Sequence, residues 1–283
     1  MRHRGWPIAC AAVLWAGNAL AAFTDGPAGP TFAPPLRSPT PDDFKLKIDV
    51  FGVGKIPNSR AELIVRRGVA YQFLSNSPEE VLILDPSSSR VALLDLQRKI
   101  RTEVPSKKLD AHLGTLFKRV SVAVESRAKS GTRADRVSSA MSRDLIEPKF
   151  QETFDAESGK LRLANPTVEV DAVGVPDEDG PRVALIVKSL YALTKLGSYR
   201  EPDQIPPFTR LEVLRRLCVA HRLRPTEITF VYRLAGPPQK LRWTFELVPN
   251  LTDREIEAIS RVDRFRGTSK LVPYAFYEAD EQG

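Results

Sequence analysis

The stretch from Glu79 to Val104, EEVLILDPSSSRVALLDLQRKIRTEV, contains three short apolar segments separated by two polar turns. The turns begin at Asp85, which Pro86 follows, and at Asp95. An Asp carboxylate accepts hydrogen bonds from nearby backbone N–H groups and proline presets its own backbone angle, so both favour tight turns. Segments joined by turns this short pair with each other as antiparallel strands. The stretch therefore predicts a three-stranded meander, with its aspartates as turn formers rather than catalysts.

Strand patterns recur on both sides of this meander. Residues 44–50 alternate apolar and charged side chains, and residues 61–74 form two more short segments that break at Gly68. A second meander begins after Pro148, and residues 228–248 have the pattern of a hairpin. We therefore predict an α+β protein with a curved, mostly antiparallel sheet of about a dozen strands, an incomplete barrel with helices packed on its concave face.

Other segments change from the strand period to the helical one. Apolar residues from 106 to 124 predict a long amphipathic helix, and a weaker helix is predicted at residues 134–146. The sequence TDRE at residues 252–255 has the pattern of a capping box that opens a helix. Residues 270–279 predict a closing strand, at a sheet edge because Pro273 cannot donate to a ladder.

The N-terminus has the composition of a secretory signal peptide. Basic residues 2–4 precede an apolar run that ends in Ala-Leu-Ala at residues 19–21, so residues 1–21 are predicted to be cleaved. A retained anchor is the alternative, but the run is short for a span of about 20 residues. The expected location is the periplasm or cell envelope, with no transmembrane span after cleavage.

Domain boundaries follow from composition. Residues 22–43 are rich in proline, which predicts a disordered, extended leader. Residues 44–283 are interpreted as a single α+β domain, with a possible internal boundary near residues 130–147.

Positive charge is concentrated in one part of the chain. The segment from Arg98 to Arg136 has eleven Lys or Arg against four Asp or Glu, which leaves it at +7. Such a segment predicts contact with an anionic membrane surface or an acidic partner, and a solvated helix face is the alternative. Nucleic acid is not expected, because no nucleic-acid-binding module is recognisable. The candidate basic surface comprises Arg98, Lys99, Arg101, Lys107, Lys108, Lys118 and Arg119.

The segment VLILDPSSSRVALLDLQRKIRTEV, in which three strands alternate with two Asp-led turns, resembles the bacterial outer-membrane lipoprotein-carrier superfamily. The resemblance extends to KFQETFDAESGKLRL (149–163) and covers about residues 44–187. It implies an incomplete barrel wrapped around helices, with an apolar cavity between them and a carrier function. An uncharacterised exported family with a similar sheet is the alternative, because the chain departs from the pattern after residue 189. No functional residue is transferred from the resemblance.

Large apolar residues on the predicted strands are the candidate wall of a ligand site. A sheet only partly covered by helices leaves a groove for an acyl chain or apolar peptide, and a filled core is the alternative reading. The wall candidates are Tyr71, Phe73, Leu82, Leu84, Leu93, Trp243 and Phe245.

Residue types that carry enzyme chemistry are sparse. Cys218 and His221 could share a helical face, but a buried, inert thiol is the favoured reading, and His112 lies in a different helix. The acidic turn at residues 177–179 lacks the ligand spacing of a calcium loop. We therefore predict no catalytic residue, no metal and no cofactor.

The sequence predicts a non-enzymatic envelope protein that binds a lipid, a lipidated protein or another apolar ligand. A scaffold that binds a protein partner is the second reading, and a hydrolase is the third.

Overall fold

The computed structural model describes residues 43–129, 132–201, 205–234 and 236–279, and within them the chain forms twelve strands and six α-helices. The predicted signal peptide and nearly all of the predicted leader lie outside these residues.

The first half of the sheet is the predicted meander, extended by three more strands. Asp85 Oδ1 accepts from Ser87 N at 2.9 Å, and Asp95 Oδ1 accepts from Gln97 N at 3.0 Å, so both aspartates form turns as predicted. The strands are β1 (Phe44–Phe51), β2 (Ser59–Arg66), β3 (Val69–Leu74), β4 (Ser77–Asp85), β5 (Arg90–Asp95) and β6 (Ile100–Pro105).

Two helices separate this half from the second meander, and the rest of the chain alternates helices with strands. Both predicted helices of the basic segment are confirmed as α1 (Ser106–Lys129) and α2 (Arg133–Ile146). The following elements are β7 (Gln151–Asp155), β8 (Lys160–Ala164), β9 (Val168–Pro176), α3 (Gly180–Arg200), α4 (Phe208–Leu214), a π-helical turn (Arg215–Ala220), β10 (Leu223–Tyr232), β11 (Gln239–Pro249), α5 (Asp253–Thr268), β12 (Lys270–Leu271) and α6 (Tyr274–Glu278).

All twelve strands belong to one open sheet in the order β12-β6-β5-β4-β3-β2-β1-β11-β10-β9-β8-β7. The two meanders join where β1 pairs with β11, with Leu46 opposite Leu247. Strands β12 and β7 lie at opposite ends of the order, so the sheet is not closed into a barrel. All strand pairs are antiparallel except β12 with β6.

The predicted closing strand is shorter than expected. Only Lys270 and Leu271 pair with β6, at the sheet edge, and residues 274–278 form α6 instead. Pro273 lies at the N-cap of this helix, where its missing N–H costs little. The same residue that indicated an edge strand therefore starts a helix.

The sheet has two differently covered faces. The main face, defined by Leu46, Leu63 and Leu82, packs with apolar residues of α1, α3 and α4 in one continuous core. On the reverse face, α5 packs with the apolar residues of β2 to β5, where Ile64, Ile83 and Ile259 belong to one buried cluster, and Glu255 of the same helix pairs with Lys45 of β1. The position of α5 corrects the prediction that the helices lie on one face.

Elsewhere the reverse face is polar. Cross-strand ion pairs cover it, including Lys47 with Glu246 at 3.2 Å and Arg162 with Asp171 at 4.0 Å. The change from apolar to charged side chains along the reverse face explains why α5 packs at β2–β5 and not further along the sheet.

Candidate functional site

The seven predicted wall residues do not line one wall. Tyr71 and Phe73 point to the reverse face, because Tyr71 is the ladder partner of Ile83 and both pack with α5. Leu82, Leu84, Leu93, Trp243 and Phe245 lie in the main-face core. Successive residues of a strand point to opposite faces of the sheet. The sequence prediction did not assign each residue to a face, so it grouped residues from both faces into one wall.

Helix α3 is the principal cover of the main face. Nine of its residues are buried, including Ile186 and Leu190. It is also tied to the other helices, since Tyr191 OH donates to the Leu211 carbonyl at 2.9 Å and Lys195 pairs with Asp110 at 2.6 Å. A helix that is apolar over most of its circumference is one enclosed on several sides.

Three polar side chains in this apolar layer each have one buried atom that makes no hydrogen bond to the described residues. These atoms are Gln72 Oε1, Ser189 Oγ and Trp243 Nε1. Gln72 is 1% exposed, and its ladder partners are Leu63 and Leu82. A buried polar atom without a hydrogen bond costs roughly 1–3 kcal/mol. Each of these atoms is therefore a hydrogen-bonding group that the described residues leave unsatisfied within the apolar layer.

The candidate basic surface divides into structural and exposed residues. Arg98 Nη1 donates to the Ala279 carbonyl at 2.9 Å, and Arg101 donates to the carbonyls of Arg266 and Ser269. Both arginines therefore hold the C-terminal segment against β6. Lys99, Lys107, Lys108, Lys118 and Arg119 are exposed. Lys108 Nζ lies 5.5 Å from the ring centroid of Tyr199.

A buried ionic cluster beside β4 and β5 was not predicted. Glu80 accepts from Arg200 Nη1 at 2.5 Å and from Tyr277 OH at 3.1 Å, and Asp95 on the neighbouring strand accepts from Arg98 Nε at 2.8 Å. Burial alone would lower the pKa of Arg200, but the Glu80 carboxylate raises it. Both carboxylates are paired with arginines. Because Arg200 belongs to α3 and Tyr277 to α6, their bonds to Glu80 connect both helices to the sheet.

Cys218 is buried, as predicted, and burial raises its thiol pKa to about 12. His221 is engaged elsewhere, with Nε2 at 2.7 Å from Glu152 Oε1 and its ring stacked on Phe154. The acidic turn is also engaged, since Asp177 accepts from Arg182 and Arg224. Cys218, His221 and Asp177 therefore each have a structural role in the packing and ion pairs of their surroundings.

Within the described residues, no group of three or more His, Cys, Asp or Glu side chains is arranged to hold a metal ion. None of the helices in the same residues has the length and apolarity needed to cross a membrane. No protein-family model matches the chain, and no curated protein matches it.

One kind of signal in the sequence, a polar residue in phase with a core face, could have located two of the missed residues. Gln72 interrupts the apolar run VAYQFL, and Glu80 precedes the apolar run VLIL of β4 in phase with the main-face residues. A polar residue in phase with a core face is either paired or available to a ligand. Arg200 has no comparable signal, because its partner lies 120 residues away.

Proposed function

We propose that this is a non-enzymatic, exported envelope protein that binds a lipid, the lipid part of a lipoprotein or another apolar ligand against the main face of its sheet. The composition of residues 1–21 supports export. The apolar main face, which runs from β6 to β8 under α1, α3 and α4, supports binding of an acyl chain.

The observation that carries this proposal is the presence of Gln72 on that face. Its Oε1 is buried between Leu63 and Leu82 without a donor among the described residues. A ligand that combines an acyl chain with a hydroxyl or amide N–H would fill both requirements, apolar contact and a hydrogen bond to Gln72. Contact with an anionic membrane surface, supported by Lys107, Lys118 and Arg119, would bring the protein to such ligands.

The Gln72→Leu variant tests the proposal. We expect it to bind a fluorescent monoacylglycerol roughly three- to tenfold more weakly, because the hydroxyl loses its acceptor. Without ligand the variant is expected to be more stable by about 1 kcal/mol, since an unsatisfied polar atom is removed. Fluorescence titration and urea denaturation measure the two effects.

The matched control is Gln151→Leu, the same substitution at an exposed position on β7. It is expected to change neither binding nor stability appreciably. If wild-type protein does not bind the probe, or if both variants bind it as the wild type does, the proposed ligand site is wrong.

A scaffold that recruits a protein partner is the second candidate. It is supported by the exposed apolar residues Val122 on α1 and Val137 on α2, which lie among the basic residues of these helices. A hydrolase that uses Cys218 as its nucleophile has less support, because burial raises the pKa of this thiol and the thiolate is its reactive form. Crosslinking in cell envelopes followed by mass spectrometry would identify a protein partner if the scaffold reading is right.

A further inference from the structure

The loop between β1 and β2, residues 52–58, presents the two most exposed large apolar side chains of the described residues. Val53 is 93% exposed and Ile56 is 80% exposed, and Lys55 lies between them. Single exposed aliphatic residues are common on protein surfaces, but two at the tip of one short loop are a local concentration of apolar surface.

The base of this loop is fixed, so the apolar tip is held away from the core. Asn58 N donates to the Val50 carbonyl at 2.7 Å, and the Asn58 side chain packs so close to Gly52 that an added Cβ would lie 2.8 Å from it. Phe51 is covered by the guanidinium of Arg242, whose Cζ lies 4.2 Å from the ring centroid.

The charges at this end of the sheet are complementary to an anionic surface. The strand-to-strand connections at the same end contain Lys55 and Lys99, for which no ion pair exists among the described residues, and no Asp or Glu occurs in them. These connections are residues 52–58, 75–76, 96–99 and 165–167, and the described residues 233–234 and 236–238.

The strand-to-strand turns at the opposite end, residues 67–68, 86–89 and 156–159, contain Arg67 and Glu157 and are together neutral. An anionic surface is therefore attracted more strongly to the connections at the β1–β2 end than to those at the other end.

We propose that the β1–β2 loop inserts Val53 and Ile56 into the interface of an anionic phospholipid bilayer, while Lys55 and neighbouring Lys240 contact the headgroups. Arg242 is the ladder partner of Phe51, and Lys240 lies two residues further toward this end, so it flanks the base of the loop. Aliphatic side chains combined with cations are the composition of segments that bind membrane interfaces. This proposal does not depend on a ligand bound at the main face.

The test is co-sedimentation of the full chain with vesicles of phosphatidylglycerol and phosphatidylethanolamine. Wild-type protein is expected to bind the vesicles. The double variant Val53→Ser/Ile56→Ser is expected to bind them at least about tenfold more weakly, because it loses the two aliphatic side chains that the bilayer would bury. Lys55→Glu is expected to weaken vesicle binding as well. The difference in affinity between this variant and the wild type is expected to become smaller at high salt, because salt screens the charge.

The matched control is Val122→Ser/Val137→Ser, which removes exposed valines from α1 and α2. We expect it to leave vesicle binding unchanged. The proposal would be overturned by any of three results: wild-type protein does not sediment with vesicles, the loop variants bind vesicles as the wild type does, or the control variant loses as much vesicle binding as the loop variants. Binding of the fluorescent monoacylglycerol in solution should be the same in the loop variants, which separates this test from that of the main-face site.

Discussion

At the scale of single residues, His112 of α1 contacts the C-terminal part of α3. Its Nε2 lies 3.1 Å from the Ser198 carbonyl, so this nitrogen donates, and its ring packs edge-on against Tyr199 with centroids 5.2 Å apart. Burial lowers the pKa of His112 below its usual 6.5, Arg119 lowers it further, and the Ser198 carbonyl opposes both. The folded protein therefore favours the neutral imidazole.

Stability should consequently depend on pH through this residue. Between the lowered pKa and 6.5 the unfolded chain binds more protons than the folded one, so the contribution of His112 is complete above pH 6.5 and decreases as the pH falls toward the folded pKa. His112→Gln keeps a donor for Ser198 and is expected to flatten the dependence of the denaturation midpoint between pH 7 and pH 5. Lys118→Gln, an exposed change on the same helix, serves as the control. An unchanged pH dependence in His112→Gln would contradict this assignment.

The residue scale also shows where sequence reasoning succeeded and failed. The turn roles of Asp85 and Asp95 were predictable, because an Asp that bonds the next backbone N–H groups is a local interaction. The roles of Arg98 and Arg101 were not, since their acceptors lie on a segment more than 160 residues later. A basic residue in a sequence does not indicate whether its guanidinium meets solvent or a distant carbonyl.

At the scale of elements, Glu80 joins β4 to two helices. Its carboxylate accepts from Arg200 at the end of α3 and from Tyr277 of α6, and its side chain is 5% exposed. Arg200, itself largely buried, also pairs with Glu278 of α6 at 3.2 Å, but that carboxylate is more exposed than the Glu80 carboxylate.

Replacing Glu80 by Gln should therefore destabilise the protein by about 3 kcal/mol, since the buried Arg200 guanidinium keeps only the more exposed Glu278 as a carboxylate partner. Guanidinium denaturation measures the change. Glu246→Gln, which affects the exposed pair with Lys47, is the matched control and should have little effect. Equal midpoints for the two variants would show that the cluster does not hold α3 and α6 in place.

Elements were predictable where the periodicity was regular. The capping box at Thr252 opens α5 as predicted, with the Thr252 side chain accepting from Glu255 N. The face that α5 covers was not predictable, because it depends on which strands carry apolar residues on the reverse side, such as Ile64 and Ile83. Local pattern determines that a helix forms, whereas its partner depends on the assembled sheet.

At the scale of the whole molecule, the pairing of β1 with β11 makes one sheet from two meanders. Lys47 and Glu246, partners across this junction, are 199 residues apart. Hairpin succession predicted the fold class and the open, mostly antiparallel sheet, but no local signal indicates a junction between strands so distant in sequence. The same limit applies to the candidate site, where five of seven wall residues share the main face and two do not.

We propose that the main face, with Gln72 in its apolar surroundings, binds a ligand with an acyl chain. Native mass spectrometry of the protein purified from the cells that produce it, followed by lipid extraction, is the most direct test. We predict a bound species with the mass of a lipid that is retained by wild-type protein and reduced in Gln72→Leu. Wild-type protein that carries no lipid, and that acquires none when incubated with lipids extracted from those cells, would contradict this proposal.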